Sequence, residues 1–212
     1  MKPQAIEDLS FSIIDAEAPA HDYDPATWSI IRRMIHSTAD FDYASCVVVS
    51  PTAVTAGIQA LQQGCTIITD TEMARMGIRK APLKAFNSQV ICRIQDPEVA
   101  RIAEEKGITR AKAAVDQVAD AYGTDIFVIG NAPTALLRIV ELTAQGKLNP
   151  ALVVGLPVGF VNAAESKAAL RQTAIPHITN IGRKGGSPVA ASVINALILL
   201  ALGSTPHSGE MP

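Results

Sequence analysis

Charge is sparse in this chain and nearly balanced. Of its 212 residues 18% are charged, 18 basic against 20 acidic, and the formal net charge is −2. With no global positive field, binding to nucleic acid or to an anionic membrane is not expected, and an anionic ligand has to be met by local basic groups. Long apolar runs are missing as well. The most apolar segment, PVAASVINALILLALG, is too short to cross a bilayer and carries Ser192 and Asn195, so it reads as a buried helix. The three cysteines, Cys46, Cys65 and Cys92, lie far apart in apolar surroundings, which predicts reduced core residues and no metal or redox cluster. The stretch MKPQAIEDLSFSIIDAE lacks the basic-then-apolar profile of a signal peptide, so a cytoplasmic protein is expected. No linker, repeat or low-complexity segment divides the chain; one domain is expected over 1–203, with a loose tail at 204–212.

Several catalytic signatures are missing too. GRKGGS has the wrong glycine spacing and lysine position for GxxxxGK[ST], and DIFVIGNAPTAL has a strand-turn-helix layout without GxGxxG, so a nucleotide site gains little support. Without a G-x-S-x-G elbow, acyl-transfer hydrolysis is unsupported. Without HxxxH, HExxH or a close Cys/His cluster, no protein-bound metal is expected. Of the four histidines, His21, His177 and His207 read as structural or exposed.

What the chain does have is apolar bulk and alternation. Hydrophobic residues make up 48%, which excludes disorder and points to much buried surface, part of it against another subunit in a homo-oligomer. The runs SCVVVS, CTIIT, QVICRI, DIFVIG, ALVVG and PHITNIG are strand candidates, most of them followed by alanine-rich helical segments, which predicts an α/β fold with a mostly parallel sheet flanked by helices. Asp24-Pro25, Ser50-Pro51, Asp96-Pro97 and Ser187-Pro188 each put a capping oxygen before a proline at a helix start. Thr69 and Glu72 have capping-box spacing. Gly107 and Gly123 suit helix ends.

In such sheets ligands sit beyond the carboxyl ends of the strands. The turns there, SPTAV, TDTEM, GNAPTAL, GLPVGFVNAAES and GRKGGSPVAA, are rich in glycine, hydroxyls and amides and suit carboxylates or phosphates. GRKGGSPVAA reads either as an anion site or as a capped helix start with exposed basic residues. In RRMIHSTAD, a helix from Asp24-Pro25 puts Trp28, Ile31 and Ile35 on an apolar stripe and Arg32, Arg33 and His36 on a polar face. Two readings stand for His36: an acid held neutral by its arginine neighbours until a polyanion pairs with them, or a surface histidine near a helix end.

Taken in order, RRMIHSTADFDY, TDTEMARMGI, GNAPTAL, PVGFVNAAESK and GRKGGS resemble the precorrin-8X methylmutase (cobalt-precorrin-8 methylmutase) family of cobalamin biosynthesis, over nearly the whole chain. The resemblance implies an α/β isomerase that shifts a methyl group between adjacent ring carbons of a reduced tetrapyrrole, giving hydrogenobyrinic or cobyrinic acid. It implies no cofactor, a homodimer with pockets near the subunit interface, and transient contact with neighbouring pathway enzymes. His36 takes the place of the family's proton-donating or hydrogen-bonding histidine. Ser10, Arg33, Thr38, Thr69, Asp70, Arg110, Asn131, Arg183, Lys184, Gly185, Gly186 and Ser187 are carried over as substrate contacts, with Arg32 or Arg33 facing the pocket. Asn162 and Glu72 depart from the family pattern: asparagine tolerates the left-handed backbone that glycine favours, and Glu72 is expected to fold back onto backbone. Two other functions remain open from the residues, a corrinoid carrier that needs no His36 and an enzyme acting on a phosphorylated metabolite through GRKGGS.

Overall fold

The computed structural model of the chain describes residues 2–119 and 125–203. Each of the six runs predicted as strands forms one: β1 Val47–Val49, β2 Thr66–Thr69, β3 Gln89–Cys92, β4 Ile126–Ile129, β5 Leu152–Gly155 and β6 His177–Asn180. They make one sheet in the order β1-β6-β5-β4-β2-β3. Strands β2 to β6 run parallel, and β1 closes one edge antiparallel to β6, with Val48 opposite Thr179. The fold is the predicted single α/β domain. Successive strand side chains alternate between two cores, as the period of two requires. Ile67, Ile126, Val128, Leu152, Val154 and Ile178 face one core, and Ile68, Phe127, Ile129 and Val153 face the other.

Helices cover both faces. In chain order they are α1 Pro3–Glu17, α2 Pro25–Thr38, α3 Tyr43–Cys46, α4 Ala53–Gln63, α5 Glu72–Gly77, α6 Lys80–Leu83, α7 Pro97–Lys106, α8 Arg110–Ala119, α9 Pro133–Ala144, α10 Ala163–Arg171 and α11 Ser187–Ala201. Helices α2, α4 and α11 build the first core; α8, α9 and the Leu170 end of α10 build the second. The apolar C-terminal segment is α11, buried along nearly all its length between α2, α4, α5 and the sheet. A helix that is apolar all round has to be a central one.

Two of the four predicted proline caps form. Asp24 accepts from the N–H groups of Ala26 and Thr27, and Asp96 from that of Glu98. The two serines do not cap. Ser50 Oγ instead accepts the N–H of His177 at 2.8 Å, where β6 begins beside β1, and Ser187 is itself the first residue of α11. The Thr69–Glu72 capping box is also corrected. Strand β2 runs through Thr69, so α5 starts later, and Thr71 Oγ1 accepts the N–H of Ala74 at 3.1 Å. Glu72 pairs with Arg75 at 2.6 Å instead of returning to backbone. Gly107 ends α7 at φ 61°, and Asn162 sits at φ 60° before α10, the conformation for which asparagine was judged tolerable. Cys46, Cys65 and Cys92 are free thiols, half-buried or buried. Gly123, His207 and the tail 204–212 lie outside the described residues.

Candidate functional site

The carboxyl ends of β2, β4, β5 and β6 share one edge of the sheet, and Thr69, Asp70, Asn131 and the 183–187 turn lie along it. At its centre, Asp70 is 6% exposed. Its Oδ1 accepts the N–H of Gly130 at 3.0 Å, and its Oδ2 accepts those of Asn131 and Ala132 at 2.8 and 2.7 Å. Helix α9 has no side-chain cap of its own, so this carboxylate from the neighbouring turn satisfies amides ahead of its first turn. Burial pushes the Asp70 carboxyl up, and the three amides pull it back down. Thr69 is likewise engaged: its hydroxyl donates to the carbonyls of Thr71 and Ile91. Thr71 Oγ1 meets Ser187 Oγ at 2.7 Å, which joins the β2 turn to the start of α11.

The last turn of α2 carries His36. Helix α1 lies against α2 and determines what surrounds the ring. Ser10 Oγ is 2.8 Å from His36 Nδ1, and the Phe11 ring is tilted against the imidazole with centroids 5.1 Å apart. Nε2 has no partner among the described residues. The arginines do not wait for a polyanion, as the sequence reading had it. Arg32 bonds Asp15 at 2.6 Å and Arg33 bonds Glu7 at 2.9 Å, both carboxylates coming from α1. Their guanidinium groups also stand over Phe11, 4.5 and 5.2 Å from its centroid. Arg32 is buried rather than on a polar face, with its Nε unpartnered. The two arginines thus hold α1, and through it Ser10, over the histidine. Thr38 donates its hydroxyl back to the Met34 carbonyl at 2.8 Å.

The GRKGGS turn lies between these two regions. Lys184 Nζ bonds Asp40 at 2.5 Å and Asp42 at 2.6 Å, both in the loop that follows α2. No hydrogen bond joins His36 itself to the turn among the described residues; the ion pairs to the turn come from this loop. Gly186 takes φ 132°, open only to glycine, and its N–H donates to the Leu156 carbonyl at 2.9 Å. At Gly185 a Cβ would stand 2.2 Å from that same carbonyl oxygen. Gly185→Ala therefore forces the turn off β5. A loss of about 2–3 kcal/mol is expected for such overpacking, measured as a lower urea midpoint with unchanged slope.

The chain as a whole is similar to known proteins. The family model described as precorrin-8X methylmutase matches residues 5–200. A cobalt-precorrin-8 methylmutase of Salmonella typhimurium is 46% identical over 205 residues, covering 93% of this chain and 95% of the relative. A precorrin-8X methylmutase of Sinorhizobium is 38% identical over 195 residues, 91% of this chain and 92% of the relative. The crystal structure of precorrin-8X methyl mutase from Thermus thermophilus superposes with a TM-score of 0.88 at 42% identity, covering 95% of this chain and all of that one. The chain belongs to the precorrin-8X methylmutase family. Within this methylmutase the carried-over residues fall into two groups. His36, Ser10, Arg33 and Thr38 share the α1–α2 end. Thr69, Asp70, Asn131 and the 183–187 turn share the sheet edge, where Gly130 backs onto Ser187 so closely that a Cβ would reach its Cα at 2.7 Å. Arg110 begins α8 next to Thr109, whose hydroxyl meets Thr134 of α9 at 2.8 Å, so it stands near the Asn131 turn. Arg110 and Arg183 have no ion-pair partner among the described residues, and Arg183 stands 5.5 Å over the Phe160 ring.

Sequence reasoning missed the partners of the methylmutase's cations, Glu7, Asp15, Asp40 and Asp42. It also missed Lys167, which is 1% exposed. A signal for Lys167 was present: it shares the buried face of α10 with Ala163, Ser166 and Leu170, at helical spacing on an apolar stripe. A cavity of about 410 Å³ lies elsewhere, beside Asn149, Pro150, Gln172 and Pro176 at the amino ends of β5 and β6, and no predicted site residue lines it. In the single chain the site edge is open surface, with Phe160 84% and Val161 79% exposed beside it.

Proposed function

We propose that this methylmutase moves a methyl group between adjacent ring carbons of precorrin-8X, or of its cobalt complex, with His36 as the proton or hydrogen-bond donor. Enzymes of this family are isomerases. What supports the assignment of the acid is geometry: Ser10 engages Nδ1 of the exposed His36 and leaves Nε2 without a partner among the described residues, while Arg110 and Arg183, without ion-pair partners there, and the backbone amides of the Lys184 turn can meet carboxylates. The substrate is a flat apolar ring fringed with acetates and propionates. Cations and amides along its rim would fix the ring in place while the imidazole acts on its conjugated system. The Asp70 carboxylate and the hydroxyl protons of Thr69 and Thr38 are engaged by the protein and serve this reading by holding the turns. Cobalt, where present, belongs to the substrate. Adding purified protein to precorrin-8X should produce the absorption change of isomerisation; an unchanged spectrum rejects the activity. A carrier would bind the ring without that change.

The second part of the proposal is a homodimer that closes the site. Ile6, Leu9 and Ile13 of α1 form a stripe 55, 50 and 47% exposed, on the helix that supplies Ser10 and Phe11. Phe160, Val161, Met73 and Met76 add exposed apolar surface. So much apolar area next to a polar site suits a second copy of the chain. Leu9→Glu places a charge in that stripe and should convert dimer to monomer in sedimentation velocity, with at least about a tenfold rise in dimer dissociation constant, about 1.4 kcal/mol. Contact with neighbouring pathway enzymes would use the surface that the dimer leaves free.

A further inference from the structure

Lys167 is the one lysine whose ammonium is enclosed near the site without a carboxylate among the described residues. Its Nζ donates to Asn180 Oδ1 at 3.0 Å and to the carbonyl of Lys184 at 2.6 Å. Asn180 Nδ2 donates to the same carbonyl at 3.1 Å. The preceding carbonyl, that of Arg183, accepts the N–H of Gly159 at 3.2 Å. Two successive carbonyls of the glycine turn are therefore drawn inward by donors of the protein. In a trans peptide the carbonyl and the following N–H point opposite ways. With Arg183 and Lys184 carbonyls held in, the N–H groups of Lys184 and Gly185 point away from those donors, and neither has an acceptor among the described residues. A buried cation fixing the Lys184 carbonyl, beside the Gly159 N–H that fixes the Arg183 carbonyl, leaves the amides of the turn free for an anion on the other side.

We propose that Lys167, which touches no ligand itself, is the positioning residue that, by holding the Lys184 carbonyl, turns the Gly185 amide toward a carboxylate of the substrate, beside the Lys184 amide that the Gly159 contact sets. The inference rests on the methylmutase reading for the identity of the anion, and on the geometry alone for the hold on the turn. Burial lowers the Lys167 ammonium to about 8, so its charge is lost within the range where the protein can be studied. The titratable group facing it is the Cys46 thiol of α3, itself pushed up by burial, while the Lys184 ammonium is engaged by Asp40 and Asp42. A neutral amine still donates, but more weakly than an ammonium. Affinity for the substrate carboxylate should accordingly fall as pH rises through about 8.

The test uses the full-length protein, Lys167→Met and Lys167→Arg, with hydrogenobyrinic acid as the probe. Methionine fills the space without donating. Expected for K167M are a dissociation constant raised at least about tenfold and flat between pH 7 and 9, and about tenfold faster hydrogen exchange at the Gly186 amide, which reports the seating of the turn. The parent should bind more weakly at pH 9 than at pH 7, and K167R should restore part of the affinity without that pH dependence. Equal Gly186 protection in parent and K167M overturns the inference. So does a parent-like pH profile in K167M, since a purely structural loss would scale all binding alike and leave the profile unmoved. If the parent binds no hydrogenobyrinic acid, the methylmutase reading fails instead, and Gly186 exchange still decides the role of Lys167.

Discussion

Replacing His36 with alanine should lower turnover of precorrin-8X by about two to four orders of magnitude while leaving corrinoid binding within a few-fold of the parent. General acid assistance by a positioned imidazole has that size, and it corresponds to about 3–5 kcal/mol of transition-state stabilisation. The fold should not notice the change. His36 is exposed on the last turn of α2, and its side chain makes one hydrogen bond, to Ser10. Helix α1 keeps its place without the ring, because Arg32–Asp15, Arg33–Glu7 and the stacking of both guanidinium groups on Phe11 remain. Single-turnover absorption measurements on enzyme saturated with substrate separate chemistry from binding. Equal rates for parent and variant would remove His36 from the mechanism and return the ring-binding edge to a carrier role.

The strands were legible because a parallel sheet buried on both faces leaves continuous β-branched runs in the sequence. TIIT, IFVI and LVVG are such runs, buried at every position, whereas VVV is the half-buried antiparallel edge strand and was legible from its valines alone. Helix starts were legible only where the cap is local. Asp24 and Asp96 obey their neighbours, whereas Ser50 answers to a strand more than a hundred residues away and Asp70 caps α9 across the sheet edge. The same distinction governs the candidate site. His36 is proposed on its motif, but the partners of the cations beside it are long-range. Arg32 and Arg33 meet carboxylates of α1, and Lys184 meets those of the loop after α2, 144 and 142 residues earlier. A sequence shows that basic residues are present; whether they are free for a ligand depends on which carboxylates the topology brings near. Of the carried-over cations, Arg110 and Arg183 have no ion-pair partner among the described residues and are for that reason the better candidates for substrate carboxylates.

Asp70→Asn should destabilise the protein by about 3 kcal/mol, although it changes only one oxygen to an amino group. Asp70 is buried and serves three amides with two acceptor oxygens. Asparagine has one acceptor oxygen and one donor group. If the donor occupies the Oδ2 position it confronts the N–H groups of Asn131 and Ala132; flipped, it confronts that of Gly130. Either orientation leaves at least one buried N–H without an acceptor, about 1–3 kcal/mol each, and removes hydrogen bonds to a charged group that contribute about 1.5–3 kcal/mol. The variant therefore tests acceptor geometry at nearly constant volume. Its effect should extend to catalysis, because the turn it loosens carries Asn131 and backs Gly130 against Ser187, at the entrance to α11. Urea unfolding should show a lower midpoint with the slope preserved, and turnover measured well below the unfolding midpoint should still fall by at least about tenfold, a loss of about 1.4 kcal/mol in transition-state stabilisation. Stability within about 0.5 kcal/mol of the parent, the ordinary range for a surface substitution, would mean that the Asp70 clamp does not hold the turn on which the site is built.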